Sequence, residues 1–412
     1  MLVATLVSIA LLGQQKPDDL LWKEFGPNPR KPFFSLLFPK PTGKNGLEYY
    51  VRAADLGQKD RRILQLAIAK PPVSISDPDV RSGMAALDGA LKLMAEGTRH
   101  PIDLTPLKPK PNAGAEGIAL LTANIIFPLD AELKTITKGT VNAADVWLSQ
   151  GHSMTATQNL LLMLRVSHDL IPMSLDSALV GIAMDSIIYA AFDRHMADFA
   201  LRDLDLIVAA TGKLETDDVY RRSLLAEADD STAGVLVLLK EVDKEARKGG
   251  GELRKDKDER LLLELYMKSK PAQRSGYPGA IRTAVRKKFD WVIRQIPAWT
   301  FKAVPAGTKW SADPFVDKMV GTMVFAEPII LDGFATTRIQ MRLLRLHAFI
   351  QRYKLIHKRL PDTLAQLKLP AKETYDPLAQ KQFSYGPYGY GYTLCSEGNL
   401  HLGKIELVRK RK

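Results

Sequence analysis

The chain has 412 residues, 46% hydrophobic and 25% charged, a balance that excludes a disordered polyelectrolyte and leaves room for two or three domains with a substantial core. A formal net charge of +12, from 58 Lys and Arg against 46 Asp and Glu, admits anionic partners such as nucleic acid, lipid headgroups or acidic wall polymers without selecting among them. The single cysteine, Cys395, excludes an intrachain disulfide and a multi-cysteine zinc site.

Leu2 to Gly13 is an apolar run interrupted by Thr5 and Ser8 and ended by Gln14-Gln15-Lys16-Pro17. It is too short to cross a bilayer and matches the hydrophobic region of a secretory signal peptide, although no Lys or Arg precedes it. Residues 1–15 are therefore expected to be a signal peptide, and the protein to be periplasmic, envelope-associated or secreted. The alternative is a short N-terminal helix packed on the body. Residues 16–45 are rich in proline, with Phe33, Phe34, Leu36, Leu37 and Phe38 in between. That density predicts an extended arm whose aromatic cluster docks on the helical body.

Asn45-Gly46 opens a helix through Leu47, Tyr50, Val51 and Ala54, and from there to residue 248 the apolar period stays near that of an α-helix. Leu87, Leu91 and Met94 make one face, Leu160, Leu161, Leu164 and Ile171 another, and Ile182, Ile187, Ile188, Ala191 and Phe192 a third. Loops are expected at Lys70–Pro78 and Pro101–Gly117. Gly249-Gly250-Gly251 lies in a dense run of mixed charge, so 249–257 reads as a linker or exposed turn. A second helical block, 258–336, contains Ala280–Ile296 and a long segment from Phe315 that Pro328 is expected to kink.

The last helix carries an apolar seam, Ile339, Leu343, Leu346, Ile350 and Tyr353, beside a basic stripe of Arg338, Arg342, Arg345 and Arg352. After Pro361 come three β-like runs, Gln382–Tyr385, Tyr390–Ser396 and Leu400–Val408, with turn signals at Gly386-Pro387 and Gly398-Asn399. They predict an antiparallel meander over the end of 337–408. Residues 409–412 form a basic, solvated tail. The expected fold is mainly α, a multi-helix body with a small C-terminal α+β module made of a long helix and a three-stranded antiparallel sheet.

That ending resembles the globular module of type II secretion pseudopilins. The shared pattern runs through Tyr353, His357, Arg359-Leu360-Pro361, Leu364, Leu367 and Asp376-Pro377, then Phe383-Ser384-Tyr385 and Tyr392-Thr393-Leu394-Cys395-Ser396-Glu397-Gly398. The resemblance implies a helix, a turn, a D-P turn and a strand, and a place in protein assemblies. The chain departs from the family at its start and in its last loop, and a long body stands ahead of the module. Gly13 is followed by Gln14 where a Gly-Phe processing site would stand, and Gly398 leads into Asn399, Leu400 and His401 where calcium-binding acids would be. The likeness is thus to reuse of the module, not to a fibre subunit. Through Asn45-Gly46, Tyr50, Arg52-Ala53-Ala54 and Leu179-Val180-Gly181-Ile182-Ala183, the whole chain resembles large exported helical proteins of planctomycete-like bacteria, from which no activity carries over.

Four constellations invite a chemical reading. Gly151-His152-Ser153-Met154 partly matches the G-x-S-x-G nucleophile elbow, but Thr155 replaces the second glycine and 142–150 does not read as a strand. Thr155-Ala156-Thr157-Gln158 reads more simply as a capping box. His168-Asp169 is the dipeptide of HD-type metallophosphohydrolases, for which His152, His195, Asp185 and Asp193 are possible recruits. A histidine near a helix end also complements the helix dipole, and no metal site or cofactor is expected. Glu96 and His100 have helical spacing but sit where a helix ends. Asp193, Asp198, Asp203 and Asp205, with Arg194 and Arg202, read as a solvated face paired within itself.

Arg282, Arg286, Lys287, Lys288, Trp291 and Arg294, with Lys302, Phe289, Trp299 and Phe301 around them, have the composition of an anion-binding surface. They equally suit an amphipathic helix with its aromatics turned inward. The expected function is a non-catalytic envelope or secreted scaffold that binds other proteins. The alternatives are an exported hydrolase gathered around His152, Ser153, His168 and Asp169, and a binder of anionic membrane or wall polymer. Export would disfavour nucleic acid as a partner.

Overall fold

A computed structural model of the protein describes residues 33–38, 40–70, 73–107, 125–248, 257–296, 304–305, 307–321, 327–389, 391–398 and 402–408. The expected signal peptide, most of the arm, all but the last residue of the 249–257 linker, Trp299, Phe301 and Lys302, and the basic tail lie outside these residues. The helices are α1 (Gly46–Lys59), α2 (Arg61–Ile68), α3 (Pro78–Gly97), α4 (Phe127–Ser149), α5 (Ser153–Leu170) and α6 (Leu175–His195). They continue with α7 (Leu201–Leu214), α8 (Asp217–Arg247), α9 (Lys257–Lys268), α10 (Pro271–Ile293), α11 (Pro314–Gly321) and α12 (Glu327–His357). The strands are β1 (Tyr375–Asp376), β2 (Lys381–Gln382), β3 (Ser384–Tyr388), β4 (Gly391–Ser396) and β5 (Ile405–Val408). The fold is mainly α with a small C-terminal sheet, as the periodicity implies.

By contacts the described chain divides into two compact units. One holds 30–107, 126–220 and 330–412; the other holds 221–329 with two further segments. The division falls inside α8 rather than at the triple glycine.

In the first unit, local chemistry starts each helix. Asn45 caps α1, its Oδ1 accepting the Leu47 N–H at 3.0 Å, and Asp60, Asp77 and Ser174 cap α2, α3 and α6. At Gly46 a Cβ would stand 2.5 Å from the Gly97 carbonyl, so only glycine lets α1 and α3 touch backbone to backbone. Helix α4 packs against α1, α2, α5 and α6. Its small residues Gly139, Ala143 and Ala144 and its Leu129, Leu133 and Ile136 are all buried, which explains its weak amphipathicity. The α6 face buries Ala178, Met184, Ile188, Tyr189 and Phe192, while Ile182 and Ile187 are only half-buried. Residues Leu175–Asp198 are apolar and long enough to cross a membrane, yet α6 packs on α4, α5 and β5 and encloses Asp185.

Several expectations are corrected. Phe33–Leu37 is a helical turn rather than extended chain: no proline interrupts it, the Phe38 N–H donates to Phe34 at 2.8 Å, and Leu37 and Phe38 are buried. Helix α5 begins at Ser153, so Thr155 lies inside it and does not cap it. Gly151, at φ +79°, reverses the chain out of α4 early enough for that. Pro328 is the second residue of α12, where no backbone N–H is required, so it begins a helix instead of kinking one.

The C-terminal sheet is the predicted meander, in order β3-β4-β5 and antiparallel throughout, with a separate β1-β2 pair ahead of it. Gly386-Pro387 lies within β3, paired with Thr393 and Tyr392, and the bend falls at Gly389, whose φ is +49°. Asp376-Pro377 makes the turn between β1 and β2, the buried Asp376 carboxylate accepting the Leu378 N–H at 3.0 Å and that of Ala379 at 3.2 Å. Gly398 is required twice over: its φ is +70°, and a Cβ there would lie 1.5 Å from the Gly403 carbonyl oxygen.

In the second unit, α9, α10 and α11 enclose an aromatic cluster. The Tyr266, Tyr277 and Phe315 rings lie 4.7–6.0 Å apart, and the Tyr266 hydroxyl donates to Asp243 at 2.6 Å.

Candidate functional site

The side chains proposed for catalysis are held apart. His152 is exposed and Ser153 half-buried at the start of α5, which comes directly after helix α4, so the strand-to-helix turn of a nucleophile elbow is not formed. His168 lies at the other end of the same helix, roughly 22 Å away at 1.5 Å per residue. It points inward, 3% exposed, with Nε2 3.3 Å from the fully buried Asp185. Neither ring nitrogen is aligned for a hydrogen bond, while the Ser167 hydroxyl donates to Asp185. Asp169 turns the other way, accepting the Tyr50 hydroxyl at 2.6 Å and pairing with Arg165 at 3.1 Å. Burial, reinforced by the Asp169 charge, keeps that tyrosine protonated. The adjacent His168 and Asp169 thus serve different neighbourhoods.

His195 belongs to a third. Its Nε2 lies 2.6 Å from Asp145 and its Nδ1 3.1 Å from Asp198. Burial alone would lower its pKa; the hydrogen bonds and charges of the two carboxylates outweigh that and raise it. The acidic run around it is therefore not paired within itself. Arg194 reaches Asp145 at 3.0 Å, Asp203 is buried and accepts the Ala200 N–H, and Asp205 pairs with Arg352 at 2.8 Å. At Arg194 and Asp205 tertiary neighbours replace sequence neighbours, while Asp203 caps the start of its own helix. Among the described residues, no group of three or more His, Cys, Asp and Glu is placed to hold a metal ion.

Asp130, in the first turn of α4, is 1% exposed and accepts the Ser177 hydroxyl at 2.9 Å. Burial pushes its carboxyl up to about 7, against that hydrogen bond and with help from the Asp176 charge.

The basic face of α10 is only partly a surface. Arg282, Arg286, Lys287 and Arg294 are exposed, Trp291 is half-buried, and Lys288 and Phe289 are buried. Arg286 is paired with Asp290 at 3.1 Å, and Lys287 donates to the Lys309 carbonyl at 3.1 Å. The helix turns Phe289 inward, leaving no aromatic platform among its fully exposed residues.

The most elaborate polar arrangement surrounds α12. The arginine stripe is solvated only at its end, at Arg352: Arg338 and Arg345 are 5% and 6% exposed. Arg338 pairs with Asp217, Arg342 and Arg345 both with Glu215, and Arg345 also with Glu373 at 2.7 Å. Burial would raise the Glu215 pKa, but the two guanidiniums overcome it and hold the carboxyl below its usual range. Just beyond Arg345 on the helix, His347 Nδ1 lies 2.5 Å from the Tyr392 hydroxyl, and Gln351 donates to the same oxygen at 3.0 Å. The apolar seam, with Ile339, Leu343, Leu346 and Ile350 at 0–1% exposure, lies on the same helix. Helix α12 is thereby fastened to the 201–220 segment and to β4.

Beyond that clamp, the end of α12 and the loop after it form an open groove of about 550 Å³. Phe349, Tyr353 and Ile356 supply apolar surface, Arg352, Arg359 and Lys368 the charge, and among the described residues no carboxylate lines it. Tyr353 and His357 rings lie 4.1 Å apart, and the Tyr385 hydroxyl ties the loop down through the Pro361 carbonyl at 2.7 Å. The arginine periodicity placed a basic stripe on the last helix. Glu215 and Glu373 could not be named in advance, since both are distant from the arginines in sequence. Comparison with protein-family models, with curated proteins and with solved structures finds no match to this chain.

Proposed function

We propose that the protein is a non-catalytic scaffold of the cell envelope or of the secreted fraction, whose helical body holds the pseudopilin-like module rigidly for binding to other proteins. The observation that carries this reading is the clamp on α12. Arg338, Arg342 and Arg345 are committed to Asp217, Glu215 and Glu373, and Tyr392 ties β4 to the same helix through His347 and Gln351. A buried network of this kind does more for a unique geometry than for net stability, and a fixed presenting surface is what a binding scaffold needs. The separation of Ser153, His168 and Asp169 favours this reading over a hydrolase built on those side chains. Crosslinking in the native envelope and secreted fractions, with mapping of the crosslinked residues, is the test. Reproducible partners joined through residues 337–408 support the proposal; a chain that reproducibly emerges uncrosslinked from both fractions refutes it.

A further inference from the structure

The groove at the end of α12 has a composition that selects a partner. Apolar and cationic side chains line it together, among the described residues no carboxylate does, and Ile356 is 48% exposed. Arg352 and Arg359 each meet one carboxylate of their own chain, Asp205 at 2.8 Å and Asp362 at 3.1 Å, both on the solvated surface. Those contacts engage one nitrogen of each guanidinium, and a guanidinium carries five N–H donors. Lys368 occupies a left-handed backbone position, φ +54°, which glycine or asparagine would fill with less strain. Its side chain lines the groove.

We infer that this groove docks an acidic segment of a partner polypeptide, anchored by one aromatic or large aliphatic side chain. The inference rests on the scaffold reading and gives the partner's chemistry. A volume of about 550 Å³ receives one or two side chains and is too small for a folded face. The cations come from three separate segments, the helix, the turn after it and the loop before Leu369. That spread suits successive carboxylates along a chain, whereas a phosphate site needs donors converging on one point.

The test uses the full-length protein and a short fluorescent peptide of glutamates and aspartates around one central phenylalanine, with binding read by anisotropy at low ionic strength. Saturable binding is expected, weakening as salt is raised. Arg359→Glu combined with Lys368→Glu should weaken it by about tenfold or more. Ile356→Ser, or a serine in place of the peptide's phenylalanine, should weaken it by about tenfold. All three substituted side chains lie on the surface of the groove, and circular dichroism confirms that each variant is folded. Equal binding by the charge-reversed variant overturns the proposal, as does equal binding of the peptide lacking phenylalanine. Displacement of the peptide by phosphatidylserine vesicles, with Lys368→Glu also abolishing vesicle binding, overturns it in favour of a lipid surface. Peptide binding without native crosslinks would sink the scaffold reading alone. Native crosslinks remote from the groove, with no peptide binding, would sink the groove alone.

Discussion

Replacing Glu215 with glutamine tests the α12 clamp directly, because it removes a charge and almost no volume. In the native protein the Glu215 side chain is 12% exposed, and Arg345 and Arg342 are 7% and 18% exposed. Removing one partner of a buried ion pair costs about 3–5 kcal/mol, mostly from leaving the remaining charge poorly compensated. Arg345 retains Glu373 at 2.7 Å, so the lower end applies, about 3 kcal/mol. Linkage sets the sign. The folded Glu215 pKa lies below its unfolded value, so its contribution is present above the unfolded pKa of about 4.3 and is lost as pH falls through the folded value. Urea unfolding at pH 7 should therefore show Glu215→Gln less stable by about 3 kcal/mol, with the gap closing toward pH 3. A difference below about 1 kcal/mol at pH 7, or one unchanged at pH 3, would refute the reasoning, since surface pairs are worth no more than that.

The remaining predictions concern separate parts of the fold. Burial raises the folded pKa of Asp130 to about 7, against about 3.9 unfolded, so its favourable contribution is complete below pH 4 and is lost as pH rises through 7. Asp130→Asn should consequently gain about 2–3 kcal/mol over the native chain between pH 5 and pH 8, measured by urea unfolding at both. A constant difference would show that the carboxyl titrates normally. His195 has the opposite charge and a raised pKa, so its stabilisation is full below the unfolded value of about 6.5 and declines as pH rises through the folded one. An NMR titration should find its ring midpoint above the ordinary histidine value, and Asp145→Asn should bring it down. Gly398→Ala should destabilise the terminal sheet by about 2 kcal/mol or more, seen as early hydrogen exchange in β4 and β5, because both the positive φ and the Gly403 contact resist a Cβ.

Much of the architecture is legible in local chemistry. Asn45, Asp60, Asp77 and Ser174 announce helix starts through side chains that bond the next backbone N–H groups. The Tyr392-x-Leu394-x-Ser396-x-Gly398 pattern announces a strand ending in a glycine turn, and all four residues are buried. Turn positions were less legible. Gly386-Pro387 reads as a turn, but Pro387 donates no hydrogen bond and is tolerated in β3, which lies at the edge of its sheet. Thr155 looks like a better cap for α5 than His152, and only the reversal at Gly151 decides where the chain turns.

The candidate site divides differently. Sequence alone determined that α12 carries an apolar seam beside evenly spaced arginines, because both arise from helical periodicity. Only the tertiary structure decided that Arg338, Arg342 and Arg345 pair with Asp217, Glu215 and Glu373 while Arg352, Arg359 and Lys368 face a groove. It also decided that neighbours such as His168 and Asp169 serve different surroundings. Periodicity assigns a side chain to one face of its own helix. Which charges share a dry interface depends on where distant segments cross, and no short-range pattern encodes that crossing.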